Sequence, residues 1–180
     1  MPASGNHESA PASGPFEDTV TTYFDELRTP LLRYLVSLGL SIQDSEEIVQ
    51  EVFLALFEHL RQGKSQRNLR GWVFRVAHNQ GLKRRHANGR NLRLVSGSES
   101  DAAMSQDPRP DPEAQAARSQ HRKRVLAILG ALSEQDRRCL CLRAEGLRYR
   151  EIAGVLGISL GGVALSLKRS LTALIPADRE

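Results

Sequence analysis

The sequence predicts an all-α protein made of two small helical domains. Apolar residues recur at helical spacing along most of the chain, and no stretch shows the sustained alternation of a β-strand. Between the two helical stretches, residues 96–113 carry five acids, one arginine and three prolines, which is typical of a flexible linker. The expected layout is a disordered tail at 1–15, a helical bundle at 16–91, an acidic linker at 92–114, a second helical domain at 115–176 and a tail at 177–180.

The first domain is expected to contain at least three helices. Residues 16–38 have apolar positions at helical spacing, and Pro30 is expected to divide this stretch into two pieces, with Gly39 closing the second. The next helix is expected to begin with Asp44 as its N-cap. Glu47, three residues later, completes an arrangement that resembles a capping box.

A polar loop at 61–68 separates this helix from the third one, which is expected to run from Leu69 to about Arg85. His78 is expected on the outward side of this helix. Trp72 is interpreted as a core residue in preference to a stacking platform for a base. The residues expected on the buried side are Leu69, Trp72, Val73, Val76 and Gln80.

The second domain ends in a pair of short helices. Ser133 and Asp136 form a capping-box pattern that opens a helix ending at Gly146. Two helices follow, Tyr149 to Leu156 and Leu160 to Leu174, with Gly157 at the tight turn between them. This spacing predicts a helix-turn-helix, and the alternative is a helical hairpin without a role in DNA binding.

Charge is strongly segregated along the first domain. Residues 16–60 contain nine acids and two arginines, whereas residues 61–95 contain ten Lys or Arg and no acid. A dense basic run is typical of phosphate contact, because each neutralised phosphate releases counterions. The acidic helix is better suited to a basic protein. The two surfaces together predict an adaptor that holds a protein on one side and DNA on the other.

Several classes of protein fit the sequence poorly. The first fifteen residues do not form a signal peptide, and no window has the roughly 18 to 20 apolar residues that cross a bilayer. We therefore expect a cytoplasmic protein with no membrane insertion. Cys139 and Cys141 lie two apart in a helical pattern, which disfavours a disulfide. The histidines have no partners at ligand spacing, so neither a metal nor a cofactor is expected. The basic segment also lacks the carboxylates of a nuclease-like enzyme.

Two stretches carry a resemblance to a known family. Asp44-Ser-Glu-Glu-Ile-Val-Gln-Glu-Val-Phe-Leu, followed by Leu69-Arg-Gly-Trp-Val-Phe-Arg-Val-Ala-His-Asn, resembles region 2 of sigma-70 family factors. Residues 132–174, with Glu151-Ile-Ala and Leu156-Gly-Ile-Ser, resemble region 4 of the same family. The two-domain layout is similar to that of the extracytoplasmic-function (ECF) class.

The resemblance implies a bacterial sigma factor that binds RNA polymerase core and directs promoter-specific initiation without being an enzyme. Region 2 is then expected to dock on the clamp helices of the polymerase β′ subunit and to recognise and melt the −10 element. Region 4 is expected to contact the β flap and the −35 element, and an anti-sigma factor or other regulatory partner is expected. The matching core-binding positions are Asp44, Glu47, Gln50 and Glu51. Those matching the −10 contact are Lys64, Arg67, Asn68, Arg75, Asn79, Lys83 and Arg84.

The recognition helix departs from the family pattern. Its −35 contacts are expected from Arg150, Ser159, Gly161, Ala164, Leu165, Lys168 and Arg169. The family usually has a basic or polar run where this chain has Ala164, Leu165 and Ser166, so upstream recognition is expected to be weak or assisted by a partner. Leu165 is expected to meet either a thymine methyl or a partner protein. The alternative for the whole chain is a stand-alone helix-turn-helix regulator, which would leave the acidic helix unexplained.

Overall fold

The computed structural model describes residues 15–92, 120, 123 and 127–174. The predicted tails and the acidic linker lie largely outside these residues. All the regular secondary structure in the described part of the chain is helical, as predicted. Residues 127–131 are helical and precede Ser133. The six helices with defined bounds are α1 (Pro15–Ser37), α2 (Ile42–Arg61), α3 (Leu69–Leu92), α4 (Glu134–Ala144), α5 (Tyr149–Leu156) and α6 (Leu160–Leu174).

Helix α1 is continuous, so the prediction that Pro30 divides it was wrong. A proline in a helix interior removes one backbone hydrogen bond and normally breaks or kinks the helix. Here side chains on both sides of Pro30 are packed in the core of the bundle, including Leu27, Leu31 and Tyr34, each with none of its surface exposed. Tertiary packing therefore outweighs the local preference. Gly39 follows the helix and has a φ of +89°, a left-handed conformation that commonly ends helices, in agreement with its predicted position at the end of this helix.

Helix α2 begins earlier than predicted. Its N-cap is Ser41, whose hydroxyl accepts a hydrogen bond from the Asp44 backbone N–H at 3.0 Å. Asp44 is thus inside the first turn, and its carboxylate accepts from the Ser41 hydroxyl at 2.9 Å. The prediction of Asp44 as N-cap was therefore wrong, because the better cap lies three residues upstream. The buried stripe of α2 includes Ile48, Val52 and Leu56, which pack against the other helices of the bundle.

Helix α3 begins after Asn68, which has φ of +56° and accepts a hydrogen bond from the Gly71 N–H at 3.2 Å. The helix continues to Leu92, seven residues beyond the predicted end at Arg85. The prediction that His78 points outward was wrong, because His78 is 5% exposed and its Nδ1 lies 2.8 Å from the Tyr34 hydroxyl. Burial lowers the pKa of His78 to about 4. His78 is therefore a neutral core residue at neutral pH.

The C-terminal helices follow the predicted pattern closely. Ser133 caps α4 by accepting a hydrogen bond from the Asp136 N–H at 3.1 Å. Helices α5 and α6 have the predicted bounds and are bent by 104° at Gly157, whose φ of +66° is readily adopted by glycine. An angle of this size is typical of a helix-turn-helix. Cys139 and Cys141 are free thiols.

The two groups of helices pack against each other. We call α1–α3 the N-terminal bundle and α4–α6 the C-terminal domain. Helix α5 lies against α3, and α4 lies against α1. No single helix in the described ranges is long and apolar enough to cross a membrane. Helices α5 and α6 reach the necessary length and apolar composition only when they are counted together across their bend.

Candidate functional site

The four predicted core-binding residues lie along one side of α2. Asp44, Glu47 and Glu51 are spaced by three or four residues, which places them on one helix face. Gln50 lies beside them, and Leu54 continues the same face with 65% of its surface exposed. We call these five residues the acidic face. An exposed leucine next to acidic side chains is well suited to protein contact, because it offers apolar area within a polar rim.

The beginning of the acidic face is tied to α3. The Nη1 atom of Arg84 donates to both the Asp44 carboxylate, at 2.6 Å, and the Glu47 carboxylate, at 2.9 Å. Asn88 also donates to Asp44, at 3.0 Å. Burial raises the pKa of Asp44, but the hydrogen bonds from Arg84, Ser41 and Asn88 outweigh this effect and lower it overall. Arg84, predicted to bind −10 DNA, thus holds two of the predicted core-binding carboxylates.

Glu51 differs from those two carboxylates. It is exposed, and it makes no ion pair or hydrogen bond with the residues that the structure describes. Gln50 is exposed as well. Glu51, Gln50 and Leu54 are therefore the part of the acidic face that is free to contact another molecule.

The remaining −10 residues are all exposed on the loop at 62–68 and on α3. Lys64, Arg67 and Asn68 come from the loop, and Arg75, Asn79 and Lys83 come from α3. The loop is held in place by the His59 ring, whose Nε2 lies 2.9 Å from the Ser65 carbonyl oxygen. We call the six −10 residues the basic side: Lys64, Arg67, Asn68, Arg75, Asn79 and Lys83. Arginine and lysine bind the phosphates of an unpaired strand, and asparagine offers a donor and an acceptor to a base edge.

Trp72 is half-buried and packs against the hydrophobic core, in agreement with the core interpretation. Its ring also stacks obliquely on His59, with centroids 4.6 Å apart and an interplanar angle of 43°. Trp72 lines a groove of about 410 Å³ together with residues of both surfaces. The residues of that groove include Glu51, Leu54, Glu58, His59 and Lys64. The acidic face and the basic side therefore meet along this groove.

The predicted −35 residues do not form one cluster. Ser159, Gly161, Ala164, Leu165 and Lys168 are exposed at or along α6, and Ser159 caps the helix by accepting from the Gly162 N–H at 3.0 Å. Arg150 lies elsewhere. It lines a cavity of about 190 Å³ between α5 and the N-terminal bundle, opposite Arg67, Asn68 and Arg75. The structure thus brings Arg150 together with the −10 residues.

Arg169 has a structural contact that the sequence did not reveal. Its guanidinium donates two hydrogen bonds to the Asp136 carboxylate, at 2.6 and 3.0 Å. The Asp136 side chain is 7% exposed, and the hydrogen bonds from Arg169 lower its pKa to about 2. This bridge fastens α6 to the start of α4. The exposed surface of α6 therefore has one free cation near its centre among the described residues, Lys168, beside the 53% exposed Leu165.

Three residues at the boundary between the bundle and the C-terminal domain were not singled out from the sequence. Arg33 on α1 donates two hydrogen bonds to the Glu145 carboxylate, at 2.9 and 2.5 Å. Arg70 on α3 donates to the Glu145 carbonyl oxygen at 2.5 Å. These contacts span 112 and 75 positions in sequence, so no local pattern could have indicated them.

Comparison with known proteins places both groups of helices in one family. Residues 23–91 match the family model "Sigma-70 region 2", and residues 122–174 match "Sigma-70, region 4". The RNA polymerase sigma factor CnrH of Cupriavidus metallidurans is 30% identical over 80% of this chain and 80% of its own length. The ECF RNA polymerase sigma factor SigL of Mycobacterium tuberculosis is 32% identical over 84% of each chain.

A probable sigma factor of Xanthomonas campestris, RfaY, is 33% identical over 70% of this chain. The match covers only 32% of the length of RfaY, so this chain corresponds to about a third of that longer protein.

Solved structures agree on the fold. The sigma factor RpoE from Bartonella quintana, solved in complex with the anti-sigma factor NepR, gives a TM-score of 0.66 at 19% identity and covers 90% of this chain and 97% of its own. CnrH, solved in complex with the cytosolic domain of CnrY, gives a TM-score of 0.55 at 24% identity and covers 89% and 90%. Two family models in the expected order, with relatives matched over most of their length, show that the chain belongs to the ECF class of sigma-70 family RNA polymerase sigma factors.

Proposed function

We propose that the acidic face binds RNA polymerase core while the basic side binds the non-template strand of the −10 element. The observation that carries this proposal is the opposite charge of two exposed surfaces on adjacent helices of one small bundle. Asp44 and Glu47 are both engaged by the single guanidinium of Arg84, so the polymerase contact depends chiefly on Gln50, Glu51 and the exposed Leu54. The division into a region 2 domain at 16–91, a linker at 92–114 and a region 4 domain at 115–176 belongs to the same proposal.

Promoter melting in this proposal needs no catalytic group. Unstacking a base costs a few kcal/mol, and this cost is offset by contacts with the extruded base and by phosphate neutralisation. Asn79 supplies a donor and an acceptor for a base edge, while Arg75 and Lys83 on the same helix bind phosphates. Loop residues Lys64 and Arg67 extend the contact along the strand. The protein acts in the cytoplasm, where its polymerase and promoter are found.

On α6, we assign Lys168 to a phosphate and Leu165 to an apolar contact in the upstream element. Phosphate contacts position a protein on DNA but do not specify a sequence, and the engagement of Arg169 with Asp136 leaves few polar groups for base reading. Upstream recognition is therefore weak. The two solved relatives are each bound to another protein, CnrH to the cytosolic domain of CnrY and RpoE to the anti-sigma factor NepR, and we propose a regulatory partner here as well.

The polymerase contact is tested by run-off transcription with purified bacterial core on a library of genomic fragments. We expect discrete start sites with the wild type, loss of most transcripts with Glu51→Arg, and wild-type transcripts with Asp25→Arg. Asp25 is an exposed acid of α1, so its variant carries the same charge change away from the acidic face. Equal transcription by the two variants would contradict docking through Glu51. The absence of discrete starts with the wild type would contradict the proposed function itself.

The DNA contact is tested in the same assay with Arg75→Ala and Arg28→Ala. Both arginines are exposed, but Arg28 lies on α1, 3.8 Å from Glu46. We expect Arg75→Ala to reduce open-complex formation, measured by permanganate reactivity of unpaired thymines, and to make it more sensitive to salt. Arg28→Ala should match the wild type. Identical reactivity of all three proteins would exclude a role for Arg75.

A further inference from the structure

The loop at 62–68 carries half of the basic side, Lys64, Arg67 and Asn68, but none of its own side chains is buried. Its backbone is left-handed near both ends, with φ of +66° at Gly63 and +56° at Asn68. A loop without buried side chains has little of its own to select one shape, because ordering each residue costs conformational entropy. Contacts from outside the loop must therefore hold it in place.

The two ends of the loop are fixed by the neighbouring helices. The Lys64 N–H donates to the His59 carbonyl oxygen at 3.3 Å, and the Trp72 N–H donates to the Asn68 carbonyl oxygen at 3.0 Å. Between these points, residues 65–67 make one hydrogen bond to the rest of the described chain. It joins Nε2 of the His59 ring to the Ser65 carbonyl oxygen, at 2.9 Å. The middle of the loop therefore depends on His59.

The chemistry of this bond fixes the orientation of the His59 ring. A carbonyl oxygen only accepts hydrogen bonds, so Nε2 carries a proton and donates it. The ring also packs against the ring of the half-buried Trp72, with centroids 4.6 Å apart. His59 lies in the last turn of α2, and Trp72 lies near the start of α3. His59 thus joins the end of one helix, the loop and the start of the next helix.

This tether controls where two cations of the basic side are held, because Lys64 and Arg67 lie on either side of Ser65. Side chains of these types contact both phosphates and base edges. A phosphate contact tolerates a small displacement, since Coulomb attraction falls slowly with distance, whereas a hydrogen bond to a base edge weakens steeply when it is misaligned. Loss of the tether should therefore reduce discrimination between sequences more than total affinity for DNA.

We propose that His59 is a positioning residue of the DNA-binding surface: its bond to the Ser65 carbonyl oxygen holds the loop in the shape that distinguishes one −10 sequence from another. The effect on promoter recognition rests on the proposed function, whereas the tethering of the loop does not. Because the loop has this shape before DNA arrives, binding avoids the entropic cost of ordering it. His59 also belongs to the helix that carries the acidic face, so the loop is held against the helix assigned to polymerase docking.

The tether is tested by limited trypsin digestion of the full chain, with mass spectrometry to follow cleavage after Lys64 and Arg67. His59→Phe keeps an aromatic ring but removes the donor, and His59→Gln keeps a side-chain N–H donor but removes the ring. We expect loop cleavage to be about two- to tenfold faster in His59→Phe, the ratio that follows from losing one hydrogen bond, and close to the wild-type rate in His59→Gln. The matched control is His86→Phe, at an exposed position of α3, which should leave the loop rate unchanged.

Cleavage after Arg75, inside α3, shows whether a variant acts on the loop alone. Equal acceleration at Arg75 and in the loop would mean that the whole bundle opens, and it would overturn the tether. A loop rate in His59→Phe that equals the wild-type rate, or that His59→Gln matches, would overturn it as well.

Promoter discrimination is tested with core polymerase on a promoter found by the run-off assay and on versions of it in which each −10 base pair is replaced in turn. The readout is the ratio of open complexes on the original and altered promoters, measured by permanganate reactivity. We expect His59→Phe to lower this ratio about two- to tenfold at one or more positions, and His59→Gln to restore it. The salt dependence should stay the same, because every phosphate-binding cation is still present.

An unchanged ratio at every position in His59→Phe would refute the role of His59 in recognition. The absence of open complexes with the wild type would instead refute the proposed function and leave the tether standing on the digestion data.

Discussion

Replacing Arg169 by alanine separates a structural role from a DNA-binding one, because its neighbour Lys168 provides a matched control. Arg169 makes two hydrogen bonds to a carboxylate that is 7% exposed, whereas Lys168 is exposed and has no such partner among the described residues. Hydrogen bonds to charged groups contribute about 1.5 to 3 kcal/mol. Because Arg169→Ala leaves the 7% exposed Asp136 carboxylate without this donor, we expect a loss of about 2 kcal/mol in unfolding free energy, within the roughly 1 to 3 kcal/mol that a buried acceptor costs when it loses its partner.

The assay is urea unfolding followed by far-ultraviolet circular dichroism, with thermal melting in parallel. Arg169→Ala should melt about 8 °C lower, since each kcal/mol moves the midpoint of a small domain by about 4 °C or more. Lys168→Ala should stay within about 0.5 kcal/mol of the wild type, as is usual for surface substitutions. Asp136→Asn combined with Arg169→Ala should cost less than the sum of the two single changes. Equal stability of the Lys168 and Arg169 variants would refute the structural role.

Acid pH gives an independent test of the same bridge. Arg169 lowers the pKa of Asp136 to about 2 from a usual value of 3.8, so the unfolded chain takes up this proton first as pH falls. The stabilisation by the bridge is therefore complete above about pH 4 and is lost as pH falls towards 2. In Arg169→Ala this part of the acid sensitivity should be absent. A wild-type acid profile in that variant would contradict the assignment.

Four further substitutions test the interior and the turn. Tyr34→Phe should lower the unfolding free energy by about 1 kcal/mol in urea titrations, because it removes the hydrogen bond to His78, and an unchanged value would contradict that bond. His78→Gln should flatten the loss of stability between pH 6.5 and 4, since burial lowers the His78 pKa to about 4 and the unfolded chain is protonated first; a wild-type pH profile would exclude this. Gly157→Ala should lower the melting temperature, because Gly157 has a φ of +66°. Gly154→Ala should raise it slightly, because a Cβ added at this position of α5 meets nothing within 4 Å and alanine favours the helix; melting-temperature shifts of the same sign in the two variants would contradict this expectation.

Local signals in the sequence were sufficient for the helices of the C-terminal domain. The serine at 133 and the glycine at 157 act through their own backbone neighbourhood, and both lie where the spacing of apolar residues also changes. The helix-turn-helix therefore has the predicted bounds. Ser41 was missed at α2 because Asp44 is also a good capping residue, and sequence alone did not decide between them.

Predictions failed where tertiary packing decides the outcome. Pro30 remains inside α1 because the surrounding leucines are fully buried against other helices, a contact that no window of sequence contains. His78 was expected outside because it is polar, yet Tyr34, forty-four positions earlier, provides a partner in the core. The sequence predicted the two charged surfaces but did not reveal that Arg84 bridges them, or that Glu145 joins the two domains.

The bridge from Arg84 to Asp44 and Glu47 bears on how the two proposed contacts act together. It joins the first turn of the helix assigned to polymerase docking to the middle of the helix assigned to −10 DNA. Because both helices also share a packed core, a change in the position of one is passed directly to the other. The bundle therefore offers its two surfaces at a fixed relative angle.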